Sequence, residues 1–198
     1  MKNLRSNKGF TLVELAIVLV IIGIILGAVL KGQELINNAK VKRCYNQYRE
    51  IVAAFYTYYD RFGKFPGDDN TSHSTWSGFV PGDNDGLIDG GFVYNCIGGE
   101  AAGQESCNAW SHLRRANIII GAGGDRTNPQ NAYGGAISVA YGTVNGTSAN
   151  WIAFQNVPRD VAYSLDLQYD DGVYNTGSIQ ASADFTSPGI PVILYFRL

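Results

Sequence analysis

The sequence has few of the residues and patterns on which common active sites depend. Histidine occurs only at His73 and His112, and neither lies in the HExxH pattern of zinc enzymes. The GxSxG turn of serine hydrolases and the glycine-rich phosphate-binding loop are both missing. Because nothing marks a Ser-His-Asp group assembled by folding either, we expect no enzymatic activity.

Runs of basic residues are also missing from the part of the chain beyond Gly63, so we expect no nucleic-acid ligand. The chain has 198 residues and a formal charge of -2, with 45% apolar and 16% charged residues, which is a globular composition with a feasible packed core. Its distal part is rich in Gly, Asn, Asp, Ser and Thr. This composition indicates short strands joined by loops.

The N-terminal region contains one long apolar run, with no charged residue from Leu15 to Leu30. The run continues into a helical pattern at Gln33 without the small-residue cleavage site of a secretory signal peptide, so we expect it in the mature protein. As a helix, the 21 residues from Phe10 to Leu30 would span about 30 Å, the thickness of the hydrocarbon layer. The basic residues that precede it predict that its N-terminal side stays in the cytoplasm.

A second apolar pattern continues the helix beyond this segment. Its members recur mostly at spacings of three and four, which is typical of a helix that packs one face on a sheet. They are Val41, Cys44, Tyr45, Tyr48, Ile51, Val52, Phe55, Tyr58, Tyr59 and Phe62. Gly63, with Pro66 soon after it, predicts the end of the helix. We therefore expect one helix from Phe10 to Phe62, apolar on all sides at first and then on one side.

Glu14 stands immediately before the uncharged run. A carboxylate in hydrocarbon costs several kcal/mol and persists there when it meets a cation or has a function. If the chain were cut between Gly9 and Phe10, the new Phe10 amine would be such a cation, and Glu14 of one copy could face it in a neighbouring copy. Two alternatives remain open: Glu14 pairs with the amine of its own chain, or it reaches the lipid headgroups.

The basic leader, Gly9 and the stretch "FTLVELAIVLVIIGIILGAVL" resemble the class III signal of type IV pilins and type II secretion pseudopilins. The resemblance implies that a prepilin peptidase of the bacterial inner membrane cleaves the Gly9–Phe10 bond and methylates Phe10. It also implies that Glu14 is the assembly residue. The expected partners are copies of the chain or other pilins, the peptidase, the membrane and an inner-membrane assembly platform.

The resemblance also implies a domain organisation. Residues 1–9 are a cleaved leader, 10–31 a hydrophobic transmembrane and assembly helix, 32–63 its amphipathic continuation, and 64–198 a globular β-rich head. Stretches such as "FYTYYDRFGKFPGDDN" and "LDLQYDDGVYNTGSIQA" resemble prepilin-like bacterial proteins with a glycine-rich head. We therefore expect an α+β, pilin-like fold in which the long N-terminal helix packs on an antiparallel β-sheet.

The function that the resemblance implies is that of a structural subunit of a type IV pilus-like filament. The subunit would be held in the inner membrane before assembly, with its N-terminus in the cytoplasm, and would then join an extracellular or periplasmic filament. Two alternatives remain open. One is a type II secretion pseudopilin that drives protein export, and the other is a pilus-displayed adhesin or sugar-binding head.

Cys96 and Cys107 lie eleven residues apart in a polar, glycine-rich region, a spacing that suits a disulfide in an oxidising compartment. Such a bond would contribute roughly 3 kcal/mol for a loop of this size. The alternative is a pair of reduced thiols in a cytosolic loop. Cys44, on the helical pattern, is interpreted as a small packing residue.

Asp83, Asp85 and Asp89 place carboxylates two and then four residues apart on a predicted turn, which suits a Ca²⁺ ion. The match to an EF-hand loop is partial, because Leu87 occupies a ligand position and Tyr94 falls where a closing Glu is required. The alternative is an ordinary solvated turn. No cofactor is required, and Ca²⁺ at these three aspartates is the open alternative.

Other parts of the head give local predictions. Asp68–Asp69 and Asp170–Asp171 either complete an acidic site or lie in loops, and the second pair opens the sequence DDG, a common hairpin turn. Alternating apolar residues predict strands at 137–141 and 192–196. The stretch Trp110–Ile120 predicts a short helix that leads into a buried strand.

The tryptophans and two tyrosines of the head have two interpretations. They either form an exposed face on which sugars stack, or fill the core of the sheet and its subunit contacts, and the second interpretation is favoured. These residues are Trp76, Trp110, Trp151, Tyr133 and Tyr141.

Overall fold

The computed structural model describes residues 11–71, 73, 76–187 and 190–198. Its helices and strands, in chain order, are α1 (Leu12–Phe62), α2 (Glu105–Arg115), β1 (Ile137–Val144), β2 (Thr147–Val157), α3 (Arg159–Tyr169), β3 (Ile179–Ala181) and β4 (Val192–Arg197). The chain divides into two compact units, one up to Lys40 and one from Val41 onward. Helix α1 contributes residues to both units.

The C-terminal end of α1 lies at the predicted position. The Gly63 N–H donates to the Tyr59 carbonyl at 2.7 Å, and Gly63 has a φ of 73°. A side chain at this left-handed position would be strained, so glycine is the residue that ends the helix at least cost. The predicted first residue of the helix, Phe10, lies outside the described residues.

The head contains one antiparallel sheet with the strand order β1-β2-β4-β3. Strands β1 and β2 form a hairpin whose two turn residues, Asn145 and Gly146, have φ values of 44° and 86°. Positive φ at both turn positions is what a tight hairpin requires. The long helix and the antiparallel sheet together confirm the expected α+β, pilin-like fold.

The second half of α1 supplies one face of the core of this unit. Its residues Cys44, Ile51, Phe55 and Tyr58 are buried at the predicted spacing, whereas Tyr59 is 44% exposed. The other face of the core comes from the sheet, through side chains that include Val139, Ile152, Leu194 and Phe196. The strands predicted at 137–141 and 192–196 are therefore confirmed as β1 and β4; burial alternates along β4, whereas residues 137–140 of β1 are all buried.

The strand predicted to follow α2 is wrong. Asn117 has a φ of 54°, and the N–H groups of Asn117 and Ile118 donate to the carbonyls of Arg114 and Leu113. These two bonds form a Schellman motif, which stops the helix and reverses the chain. Ile118 then returns toward α2, and Ile120 is fully exposed, so no buried strand forms.

The hairpin turn predicted at Asp170–Asp171 is also wrong. These residues follow the last turn of α3, and the Asp170 N–H still donates to the Asp166 carbonyl at 2.7 Å. Helix α3 itself was not predicted. It buries Val161, Ala162 and Leu165, a short apolar face that gives a weak periodic signal.

The loop that contains the predicted calcium ligands is fixed along the outer edge of β1. The Tyr141 N–H donates to the Ile88 carbonyl at 2.7 Å, and the Asn150 side chain bonds both the Ile88 N–H and the Gly86 carbonyl. Ile88 is fully buried. The edge strand is thereby covered by the loop rather than left open to another chain.

Candidate functional site

The first candidate site is the start of α1, where Glu14 bonds within its own helix. The Thr11 N–H and hydroxyl each donate to Glu14 Oε2 at 2.8 Å, and the Glu14 N–H donates to Thr11 Oγ1 at 3.2 Å. This reciprocal arrangement is a capping box, which satisfies N–H groups that have no partner inside the helix. The sequence alternatives for Glu14 did not include Thr11, although the spacing T-x-x-E is the known signature of this motif.

Gly9 and Phe10 lie outside the described residues. Cleavage between them, and the pairing of Glu14 with a Phe10 amine, therefore stay predictions.

The apolar segment of α1 is long enough to cross a membrane and is not buried by the chain itself. Every residue from Thr11 to Leu30 is exposed. At Gly23, Gly27 and Gly32, an added Cβ would meet nothing within 4 Å. In water this surface would be strongly unfavourable, so it requires lipid or other chains around it.

The predicted disulfide between Cys96 and Cys107 is present, with Cα atoms 5.5 Å apart. It fastens the loop before α2 to α2 itself, and both residues are buried. The Cys96 N–H donates to Asn128 Oδ1 at 2.8 Å, which ties the bridge to the chain ahead of β1. Cys44 is a buried free thiol, and burial raises its pKa to about 12, which suits a packing residue rather than a nucleophile.

The acidic loop brings two of the three predicted aspartates, Asp83 and Asp85, together with Asp68, which the sequence analysis offered as a residue that could complete an acidic site. Carboxylate oxygens of Asp83, Asp85 and Asp68 lie within 4.8 Å of one another, and Asp68 takes the place expected for Asp89. Both oxygens of the buried Asp68 accept backbone N–H groups, from Asp85 at 3.1 Å and Gly86 at 3.0 Å. Calcium binding at Asp83, Asp85 and Asp89 stays a prediction.

A buried carboxylate that the sequence did not mark organises the same loop. The two oxygens of Glu105 accept the N–H groups of Asp83 and Asp89, at 3.1 and 3.0 Å. Burial, together with the charges of Asp68 and Asp83, raises the pKa of Glu105 to about 6 although these N–H groups act to lower it. Asp89 therefore contacts the site through its backbone.

Both histidines hold polar contacts inside the head. His112 is fully buried, and its Nδ1 accepts the Gly67 N–H at 2.9 Å. His73 Nε2 lies 2.8 Å from the buried carboxylate of Asp69, which also accepts the Tyr58 hydroxyl at 2.7 Å. These contacts fix the chain that follows α1. Among the described residues, no hydrogen bond joins either histidine to the side chain of a serine or cysteine.

The aromatic residues do not form a common exposed face. Trp110 and Trp151 are 1% and 0% exposed, and Trp151 donates its indole N–H to the Gly142 carbonyl at 3.2 Å. Trp76 stacks on His73 with ring centroids 4.0 Å apart. Packing inside the head, the favoured interpretation, is confirmed for the two buried tryptophans.

Comparison with known proteins adds one finding. Residues 4–30 match the family model of the prokaryotic N-terminal methylation motif. No curated protein matches the chain. The matched residues contain Gly9, Phe10 and Glu14 and most of the exposed apolar segment, so the motif and the unburied surface coincide.

Proposed function

We propose that this chain, which carries the prepilin-type methylation motif of type IV pilins and pseudopilins, is a structural subunit of a type IV pilus-like filament. The motif supports a pilin-like or pseudopilin subunit as the general class. It also supports processing by a prepilin peptidase and a membrane-anchored precursor. The pilus, rather than the secretion filament, is our own choice within that class.

One observation carries this proposal: the described part of the motif, residues 11–30, leads into and follows a helix whose apolar surface the chain leaves exposed. Such a surface is satisfied in two environments, a lipid bilayer and a bundle of identical apolar helices. A subunit that moves from the first to the second keeps its apolar contacts throughout. The head, which has its own core from Cys44 onward, can then remain folded during the transfer.

The proposal is tested by the N-terminus of the mature chain. In cells with an active prepilin peptidase, mass spectrometry should find a chain that begins at Phe10 and carries one methyl group. Gly9→Val should block cleavage and leave the chain beginning at Met1. A wild-type chain that keeps all nine leader residues would contradict the proposal.

Gly32→Val is the matched control for this experiment. It makes the same change within α1, at a position where an added Cβ meets nothing within 4 Å. It should be cleaved like the wild type. Failure of both variants would show that the loss comes from membrane insertion rather than from the cleavage site.

The pilus and secretion alternatives differ in where the filament is found. For the pilus, antibodies against the head should label surface filaments that shearing removes. For the pseudopilin, label should stay in the periplasm, and deletion of the chain should stop the export of folded proteins. For the adhesin alternative, the three tryptophans provide no common exposed face on which a sugar could stack, since Trp110 and Trp151 are buried and Trp76 stacks on His73.

A further inference from the structure

A second acidic group lies at the C-terminal end of α3. It is separate from the predicted calcium loop and lies much later in the sequence. One carboxylate oxygen from each of Asp166, Asp170 and Asp171 lies within 4.8 Å of the other two. Asp166 is fully buried, Asp170 is half-buried and Asp171 is exposed. We propose that these three aspartates bind a divalent cation, and that the cation is Ca²⁺.

The strongest indication is an oxygen of Asp166 that has no partner. Asp166 Oδ1 accepts the Gly172 N–H at 3.0 Å, whereas the buried Oδ2 accepts no hydrogen bond within the described part of the chain. A carboxylate oxygen that is removed from water without a partner is strongly unfavourable. A bound cation would give this oxygen the partner that the protein does not supply.

The local charge points the same way. The carbonyl end of a helix carries partial negative charge, and α3 has no basic residue in its last turn. Three carboxylates at this end therefore add to an unfavourable field. Among the ion pairs of the described residues, none includes Asp166, Asp170 or Asp171. A divalent cation would offset this charge at a single point.

The loop that follows α3 holds the two outer carboxylates in place. Asp170 Oδ2 accepts the N–H groups of Ser178 and Ile179 at 2.7 and 2.8 Å, and Asp171 Oδ2 accepts the Thr176 hydroxyl at 2.6 Å. Each ionised carboxylate has about four lone-pair sites. Asp170 Oδ1 also accepts the Ser178 hydroxyl at 3.1 Å, and Asp171 Oδ1 accepts the Val173 N–H at 2.9 Å. These hydrogen bonds orient the carboxylates and leave a lone pair for a metal on Asp170 Oδ1 and on both oxygens of Asp171.

The donor set selects the ion. Three carboxylates on a loop, completed by carbonyl oxygens and water, suit the six to eight oxygen ligands of Ca²⁺. Mg²⁺ requires a nearly ideal octahedron and gives up its water reluctantly, so a buried Asp166 favours Ca²⁺.

The loop of Asp83 and Asp85 lacks the unpaired oxygen that Asp166 provides. Both oxygens of its buried member, Asp68, already accept backbone N–H groups.

The test uses the full chain in detergent micelles, with thermal unfolding and isothermal titration calorimetry in CaCl₂ or MgCl₂. We expect one Ca²⁺ site with a dissociation constant on the order of 10⁻⁴ to 10⁻³ M, as in extracellular calcium modules. Saturating Ca²⁺ should raise the melting temperature by several degrees, and Mg²⁺ at the same concentration should raise it less.

Two variants address the site directly. Asp171→Asn should weaken Ca²⁺ binding at least tenfold. Asp166→Asn should abolish the Ca²⁺-dependent rise in melting temperature without lowering the melting temperature in the absence of Ca²⁺, because it removes a buried, partly unpaired charge. The second variant separates loss of the site from loss of the fold.

Two control variants remove a charge elsewhere. Asp184→Asn changes an exposed aspartate that accepts the Thr186 N–H at 2.9 Å, and Asp85→Asn changes the other acidic group. Both should keep the response to Ca²⁺. The proposal is overturned if the wild type shows no response, if Asp166→Asn and Asp171→Asn both keep it, or if Asp85→Asn alone loses it.

Discussion

Glu14 has a local contact and a proposed contact between subunits, and the two require different chemistry. The capping box with Thr11 needs an oxygen acceptor. The proposed pairing with the Phe10 amine of a neighbouring copy needs a negative charge. A substitution that keeps the oxygen and removes the charge therefore separates the two contacts.

We expect Glu14→Gln and Glu14→Val both to be cleaved normally and both to reduce the filaments recovered by shearing at least tenfold. The glutamine retains an acceptor for the Thr11 N–H, so its failure would assign the loss to charge. Quantitative immunoblots of sheared and cell fractions measure the effect. Normal filaments from Glu14→Gln would assign Glu14 to helix capping and remove the pairing between subunits.

Glu100 is a second residue whose importance depends on its surroundings. Its side chain is fully buried, and its oxygens accept the Val80 N–H at 2.5 Å and Arg115 Nε–H at 2.6 Å. Burial acts to raise the pKa of Glu100, but His112 Nε2, 3.6 Å away, and hydrogen bonds from Ser111, Arg115 and the Val80 N–H outweigh it and lower the pKa to about 2.

This lowered pKa predicts an acid-sensitive contribution to stability. Because the folded-state pKa lies below the ordinary value of 4.5, ionised Glu100 stabilises the fold above about pH 4.5, and the contribution is lost as the pH falls toward 2. Glu100→Gln should lower the unfolding free energy at pH 7 by about 2 kcal/mol and flatten its fall below pH 4.5. Urea unfolding across this pH range measures both effects.

The exposed pair of Glu50 with Arg43 provides the control, with a distance of 2.8 Å between charged atoms. Glu50→Gln should change the unfolding free energy by less than about 1 kcal/mol and leave the acid limb unchanged. An equal flattening in both variants would show that Glu100 has no special part in acid unfolding.

At the scale of elements, the disulfide connects α2 to a segment that has no regular secondary structure among its described residues. This segment is therefore held by the bridge and by side-chain contacts, among them those of the buried carboxylates Glu100 and Glu105. The disulfide reduces the conformational entropy of the unfolded chain, which is the main source of its stabilising effect in the chain-entropy model.

We expect the double variant Cys96→Ser, Cys107→Ser to lose roughly 3 kcal/mol of unfolding free energy. Reductant should destabilise the wild type by a similar amount and have no effect on the double variant. Chemical denaturation with and without dithiothreitol measures this difference. Cys44→Ala is the control, and it should keep the full sensitivity to reductant.

The sequence predicts those elements whose signals are local. The spacing from Cys44 to Tyr58 and the stop at Gly63 define the second half of α1. Alternating apolar residues predict both β1 and β4, although only β4 alternates in burial. Asn117 tolerates the left-handed conformation that ends α2, which is a local stop signal. The three isoleucines that follow it favour a strand, and the sequence prediction follows the isoleucines. The convergence of Asp68 with Asp83 and Asp85 depends on the folded chain and has no local signal.

At the scale of the whole molecule, the first buried core residue of the second unit in the described part of the chain is Cys44, and Val41 is the first partly buried residue that packs against this core. The unit that begins at Val41 therefore has the apolar contacts that a folded domain needs without the N-terminal segment. This separation is consistent with a subunit whose head is exported and whose helix assembles.

We expect a chain that begins at Val41 to fold as a soluble protein with a cooperative thermal transition. Circular dichroism and calorimetry check this result. A chain that begins at Tyr56 is the matched control, because it lacks Cys44, Ile51 and Phe55, and it should aggregate or unfold. Aggregation of the longer chain as well would show that the head needs residues before Val41.

The position of β4 has a consequence for how the protein is made. This strand, Val192–Arg197, pairs with β2 on one side and β3 on the other. It is therefore an interior strand, and the sheet is incomplete until it is added. The ribosome synthesises α1 first. It reaches β4 about 160 residues after residue 30, where the methylation motif ends. The apolar segment of α1 is thus complete while the head is still unable to complete its sheet. If the head is exported as we propose, this strand order favours translocation of an unfolded chain, with folding completed beyond the membrane.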